Sequence, residues 1–221
     1  MNDMTTTRPL DFYHLGSSCS VAVKAALAAT GTPHKVIPVD LAAKSAEFLA
    51  VNPLGKVPAL VADGLTLTEG GAINLWLSAR HPEAGLMPDL ASPEGGEALR
   101  WLFYVYATLH PIWVRLFYPE RFCGAGDRDA AQTLAEADLF DTYAQIAERL
   151  AQHDFVAGAR MSLADLYLAA TIHWEGKVEN RLSTRWPQLA AHRDRVRTMP
   201  GVADGFAGEF GYPSAASEVR R

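Results

Sequence analysis

A cysteine among serines, in Gly16-Ser17-Ser18-Cys19-Ser20, stands where the sequence predicts a helix to begin. The dipole and free N–H groups of a helix start lower a thiol's pKa and make it a nucleophile. Buried instead, the same cysteine is a small apolar packing residue. Ser17 offers different chemistry, because a hydroxyl is too weak an acid to serve as a base and acts by donating a hydrogen bond to an anion. Ser18 and Ser20 suit helix caps. A second stretch, Asn52-Pro53-Leu54-Gly55-Lys56-Val57-Pro58-Ala59-Leu60, offers backbone rather than side chains. Asn52-Pro53 closes whatever helix precedes it, Gly55 frees the turn, and Val57 to Val61 is apolar enough for a buried strand. A proline at the entrance of a strand is either an ordinary trans edge residue or part of a tight turn with a cis bond. Glu69-Gly70 opens another predicted helix, where an acid in the first turn gains a few tenths of a kcal/mol from the dipole.

Other chemistries find little support. Cys19 and Cys123 are the only cysteines and form no C-x-x-C pair, and none of the seven histidines falls in H-x-x-x-H or H-E-x-x-H, so no metal is expected. No glycine-rich phosphate loop occurs. The net charge of −5, without a basic run, argues against nucleic acid or an anionic membrane as the main partner. A small molecule or another protein remains. Met1 to Pro9 has no apolar core of signal-peptide length, and no stretch reaches the roughly 18 apolar residues of a membrane span. The cytoplasm is therefore the expected compartment.

The elements that must position these residues follow from pattern. Residues 1–9 read as a flexible leader. Leu10 to Leu15 alternates as a first strand, and Cys19 to Ala29 is a helix stopped by Gly31 and Pro33. Lys35 to Val39 is a second strand, and Ala42 to Val51 a short helix. Ala59 to Ala62 and Leu65 to Leu67 form a hairpin through Asp63-Gly64. Thr68 is placed to cap a helix that runs to about Arg80. With 221 residues and 49% hydrophobic content there is enough chain for two domains. Residues 81–96, rich in proline, glycine and acids, read as a linker. From Glu97 onward the sequence reads as helix. Glu97 to about Tyr118 carries Pro111, which predicts a kink or break near His110. Asp129 to Gln152 has apolar residues near helical spacing, for example Leu134, Ala137, Phe140, Tyr143, Ala144 and Ala147, and reads as a helix. Ser162-Leu163-Ala164-Asp165 has the form of a capping box, with the helix continuing through Ile172 to Val178. Trp186 to Arg197 is a further helix, and Ala207 to Arg221 reads as a loosely held tail.

The run from Asn52 to Leu60, followed by Asp63-Gly64-Leu65-Thr66-Leu67-Thr68-Glu69-Gly70-Gly71-Ala72-Ile73-Asn74-Leu75-Trp76-Leu77, resembles the N-terminal motif of the glutathione transferase superfamily. The resemblance covers the first 80 residues. It implies an α/β thioredoxin-like domain at residues 10–80, an all-α domain at 97–207 and a tail at 208–221, with glutathione as co-substrate held in the crevice between the domains. It further implies a cis bond between Val57 and Pro58, pairing of the Val57 backbone with the peptide, and Glu69 on the ligand's α-amino group with the Gly70 N–H on its carboxylate. Lys44 matches a lysine that pairs with the glycyl carboxylate, though by itself it is a solvated charge.

The Ser17 to Ser20 turn resembles two branches at once. In the zeta class the first serine donates to the thiolate, and in the beta class the cysteine faces the ligand and forms a mixed disulfide. Cys19 and Ser17 are thus both candidates for the sulfur contact. Tyr106 to His110 resembles the beta-class segment whose histidine reaches the sulfur site, which makes His110 a third catalytic candidate; a lone histidine in an apolar helix is otherwise a core or surface residue. Phe103 and Pro111 depart from that branch, which has an asparagine and a lysine there. Tyr106, Trp113, Phe117 and Trp174 are candidate walls of a substrate pocket or, equally, packing core. The expected function is conjugation of glutathione to a small hydrophobic electrophile by a detoxifying homodimer. The alternatives are a thiol-disulfide reductase, a zeta-like isomerase, or a glutathione-binding protein without turnover.

Overall fold

The computed structural model describes residues 9–212; the expected leader, apart from Pro9, and residues 213–221 of the expected tail lie outside the described residues. The chain divides into two compact units, residues 9–84 together with 200–212, and residues 85–199.

The first unit runs β1 (Leu10–His14), α1 (Val21–Ala29), β2 (His34–Pro38), α2 (Ala46–Val51), β3 (Ala59–Ala62), β4 (Leu65–Thr68) and α3 (Gly70–Arg80). Its four-stranded sheet has the order β2-β1-β3-β4, with β1 parallel to β2 and antiparallel to β3. Phe12 and Leu60 of the two inner strands are paired and fully buried, which is why these strands read as apolar runs. The β3–β4 hairpin turns on Asp63 and Gly64, both at positive φ (46° and 83°), the conformation a two-residue turn demands. Helix α1 is buried along Val21, Ala22, Val23, Ala25, Ala26 and Leu27. A short helix, Ala203–Phe206, closes on it. Gly205 is required at that contact, since a Cβ there would fall 2.3 Å from the Ala25 Cα.

Two expectations are corrected in this unit. Thr68 does not cap α3: it is the last residue of β4, paired with Ala59, and Glu69 takes the cap position. Nor is the chain from Ala207 loosely held as far as it is described, because Glu209 is 4% exposed and bonded to three residues of the N-terminal segment.

The second unit is helical: α4 (Pro93–Phe103), a π-helical segment (Tyr104–Leu109), α5 (His110–Phe117), α6 (Glu120–Cys123), α7 (Arg128–Leu150), α8 (Leu163–Ile172), α9 (Leu182–Arg185) and α10 (Pro187–Arg197). Helix α4 begins inside the stretch expected to be linker, because Ser92 caps it by accepting from the Gly95 N–H at 3.0 Å and Pro93 fits its first turn. The break expected near His110 takes the form of the π segment. Pro111 has no N–H to give the preceding turn, and the His110 N–H bonds instead to the Val105 carbonyl. In α7 the buried face is Ala135, Leu139, Thr142, Tyr143, Ile146, Ala147 and Leu150. Of the residues whose spacing predicts this helix, Tyr143 and Ala147 lie on that face, whereas Leu134, 67% exposed, and the exposed Ala137 and Ala144 do not. Beyond Ile172 the chain tightens into a 3-10 turn, His173–Lys177, rather than continuing α8.

At the start of α8 the acid of the capping box reaches back as the pattern predicts. Asp165 is fully buried and its carboxylate accepts from the Ser162 N–H at 2.8 Å and the Ser162 hydroxyl at 2.9 Å. It also accepts from the Val156 N–H and lies 2.8 Å from His192 Nε2, so the box ties α8 to α10.

Candidate functional site

The strand register of the first unit gathers the candidate residues of that unit at one edge of the sheet. Tyr13 pairs with Ala59 and Ala59 with Thr68, so the chain leaving β1, entering β3 and leaving β4 does so at the same edge. His14 pairs with Pro38, which adds the chain leaving β2. Gly16 to Cys19, Val57-Pro58, Glu69-Gly70 and the segment leading to Lys44 follow from those four ends.

The Val57–Pro58 bond is cis. Asn52, 5% exposed, shapes the loop before it: its Nδ2 donates to the Lys56 carbonyl at 2.6 Å and its Oδ1 accepts from the Leu54 N–H at 3.2 Å. Lys44 is exposed and lays its stem across Gly55, where a Cβ would meet the Lys44 Cδ at 2.8 Å and its Nζ at 2.9 Å. With φ of 60°, Gly55 answers both a backbone and a space requirement.

Cys19 precedes α1 by two residues, is half-buried, and its Sγ donates to the Val57 carbonyl at 3.5 Å. Burial pushes the thiol up to about 11, against the lowering effect of hydrogen bonds from the Ser18 side chain and the Cys19 and Ser20 backbone, and the Glu69 charge pushes it further up. The expectation of a thiol lowered by the helix start is therefore corrected. Desolvation outweighs the N–H groups, and Cys19 stays protonated at neutral pH. The neighbouring serines do not cap α1 with their side chains. Ser18 Oγ donates to the Leu15 carbonyl at 2.7 Å, and Ser20 Oγ lies 2.7 Å from His14 Nδ1.

Ser17 is exposed and sits at φ 58°, unusual for a residue with a side chain. Its N–H donates to Glu209 Oε2 at 2.6 Å, and its Oγ accepts from the Phe210 N–H at 2.8 Å. The other oxygen of Glu209 accepts from His14 Nε2 at 3.0 Å and Lys24 Nζ at 2.6 Å. Burial raises the Glu209 pKa, but the hydrogen bonds from His14, Lys24 and the Ser17 N–H prevail and hold it down at about 2. Sequence reasoning missed His14, Lys24 and Glu209. No local pattern marks them, since Glu209 and Ser17 are 192 positions apart.

Glu69 is exposed, has φ 65°, and makes no side-chain capping bond to α3, while Gly70 is buried at the helix start. The N-termini of α1 and α3 thus follow strand ends on the same side of the sheet, with the Glu69 charge near enough to act on Cys19.

In the second unit the aromatic candidates form one ring cluster. Tyr106 lies over Tyr167 with centroids 4.0 Å apart, and His110 meets Tyr167 edge-on at 5.6 Å and Trp174 at 5.8 Å. Phe117 stands edge-on to Trp174 at 5.5 Å. These four candidates are half-buried. Trp113 is different: it is fully buried, and its Nε1 donates to the Tyr143 hydroxyl at 3.2 Å, which donates on to Thr171. It is packing core, the second of the two alternatives for these rings, and not a wall. Phe103, 56% exposed, and the exposed Pro111 lie outside the ring pairs of this cluster. Among the described residues no group of His, Cys, Asp and Glu could hold a metal ion, and no helix is long and apolar enough to cross a membrane.

A four-stranded mixed sheet with a cis-proline at one strand entrance, joined in the chain to an all-helical unit, is the architecture of glutathione transferases. Residues 9–79 match the glutathione S-transferase N-terminal domain and residues 104–200 its C-terminal domain. The chain belongs to the glutathione S-transferase family. It is 30% identical over 203 residues to the glutathione S-transferase GstA of Escherichia coli O157:H7, covering 90% of this chain and 97% of the relative. A maleylacetoacetate isomerase of Rhizobium meliloti is 34% identical over 165 residues, 71% of this chain and 76% of that one. A sphingomonad glutathione S-transferase, solved in complex with glutathione, superposes with a TM-score of 0.78 at 32% identity, covering 88% of this chain and 96% of the other.

Proposed function

We propose that the chain binds glutathione along the Val57–Pro58 edge and conjugates its sulfur to a small hydrophobic electrophile. The observation that carries this reading is the Cys19 thiol at 3.5 Å from the Val57 carbonyl, beside a Glu69 that spends no hydrogen bond on capping its helix. The Val57 peptide pairs with the tripeptide backbone. Glu69 takes the α-amino group, the Gly70 N–H the adjacent carboxylate, and Lys44 the glycyl carboxylate. Each is a charge-assisted or backbone pairing that fixes the ligand's orientation.

A free thiol of this kind ionises near pH 8.5, so the enzyme must favour the thiolate. A thiol at about 11 is a donor at neutral pH, not a nucleophile, and Cys19 in this role turns its one S–H from the Val57 carbonyl to the ligand sulfur. Ser17, at the same turn, is the other donor. The ligand thiolate attacks the electrophilic carbon, a sulfur–carbon bond forms, and the leaving group departs with the electron pair. The apolar partner suits the half-buried rings Tyr106, Phe117 and Trp174, with His110 at their edge. A protonated Cys19 also weighs against disulfide exchange as the main activity, since that needs a thiolate.

A glutathione-dependent isomerase is the second reading, favoured by the 34% identity to a maleylacetoacetate isomerase and by the Ser17-Ser18-Cys19-Ser20 turn. In both readings the protein works as a homodimer in the cytoplasm, where a thiol co-substrate stays reduced. The test is the initial rate of glutathione consumption with chlorodinitrobenzene. Excess over the uncatalysed rate supports the transferase; a rate equal to it, with intact folding, contradicts the proposal.

A further inference from the structure

We propose that Glu209 is a positioning residue for the sulfur end of the site, clamping the Gly16 to Cys19 turn through the Ser17 backbone. This rests on the transferase reading above and adds to it a residue from the far end of the chain.

Within the turn, Ser18 and Ser20 bond to each other and back to Leu15, whereas the Ser17 N–H and hydroxyl bond to the far end of the chain. Ser17 is exposed, lies outside regular structure, and occupies φ 58°, where a side chain is disfavoured. Two bonds from the segment after Ala203–Phe206 secure it: Ser17 N–H to Glu209 Oε2 and Phe210 N–H to Ser17 Oγ. Glu209 is itself fixed, 4% exposed, with its other oxygen held by His14 from β1 and Lys24 from α1. The carboxylate therefore ties together the end of β1, the turn and α1. Cys19 follows Ser17 by two residues, so the direction of its Sγ toward Val57 depends on the backbone that Glu209 holds.

The clamp holds the end of β1, the turn and α1. Val57, Glu69, Gly70 and Lys44 make none of its bonds, so binding of the tripeptide is separable from placement of the sulfur contact. An amide at position 209 cannot replace the carboxylate. If its oxygen faces Ser17 its NH₂ meets Lys24 and His14, and if reversed its NH₂ meets the Ser17 N–H; one set of donors is left opposed either way.

The experiment compares Glu209→Gln and Lys24→Met with the intact protein, using glutathione and chlorodinitrobenzene. Lys24→Met removes one donor to Glu209 but leaves the Ser17 bond. Both variants lose thermal stability, but only Glu209→Gln is expected to lose kcat, by roughly tenfold or more, with KM for glutathione within about twofold. Equal kcat in Glu209→Gln and the intact protein overturns the role, as does a parallel loss in both variants. The intact protein gives an independent reading through amide exchange: the Ser17 N–H should exchange far more slowly than an unbonded loop amide. Exchange at the unbonded rate overturns the clamp even if the variants do not fold. An intact protein that does not bind glutathione overturns the functional reading and this role with it, whereas an active protein with an indifferent Glu209→Gln variant overturns the role alone.

Discussion

Cys19 donates its thiol hydrogen to the Val57 carbonyl at 3.5 Å, across 38 positions of sequence and beside a cis peptide bond. The pairing joins the turn after β1 to the entrance of β3. Because burial holds this thiol at about 11, it is a proton carrier at neutral pH.

Alkylation of Cys19 by iodoacetamide tests that statement. The reactive form is the thiolate, so the rate at pH 7 should be small and should climb toward pH 11. Mass spectrometry of the Cys19 peptide at a series of pH values reads it directly. A plateau reached below pH 9 contradicts it.

Glu209 makes the stability of the first unit depend on acid. Its folded pKa, about 2, lies below the ordinary 4.5, so the carboxylate contributes stability that is fully present above about 4.5 and is lost as the pH falls through 2. The shift corresponds to a few kcal/mol at neutral pH, on the order of 3 by linkage. Urea unfolding at pH 7 should show Glu209→Gln less stable than the intact protein, with the gap closing between pH 4.5 and 2. A gap independent of pH would mean that the charge is not the stabilising feature.

Lys44 and Gly55 form a pair that one substitution should uncouple. Gly55→Ala places a methyl against the lysine stem at a positive φ, which costs about 1–2 kcal/mol of strain and displaces the ammonium. Lys44→Ala removes the ammonium without the strain. Both variants should weaken glutathione binding several-fold by calorimetry, and Gly55→Ala alone should lower the melting temperature. Unchanged affinity in Lys44→Ala would leave the lysine a solvated charge.

Trp113 and Trp174 belong to one ring cluster and should respond differently. Trp113→Ala empties a fully buried site and should cost about 3–5 kcal/mol. Trp174→Ala, at a half-buried ring, should chiefly raise KM for the electrophile. Denaturant midpoints and steady-state kinetics separate the two.

Much of the first unit could be read from the sequence because its signals are local. Asp63-Gly64 specifies a two-residue turn, and the proline at the entrance of β3 stands within a contiguous motif. In α7 the helical spacing located the helix but not its buried face: alanines on several faces give no contrast, and Leu134 is exposed while Ala135 and Leu139 are buried. The thiol of Cys19 was misjudged because a helix start is visible in sequence and the packing that desolvates it is not. Glu209 lay beyond local reasoning altogether, since its partners His14, Ser17 and Lys24 come from the opposite end of the chain.

The central claim, a glutathione site at Val57 and Glu69, is tested most directly by calorimetric titration of the reduced protein and of Glu69→Ala. The account predicts measurable binding by the intact chain and a loss of about tenfold or more in the variant, as removal of a charge-assisted partner requires. Equal affinity in the two proteins, or no binding heat from the intact chain at several temperatures, would contradict it.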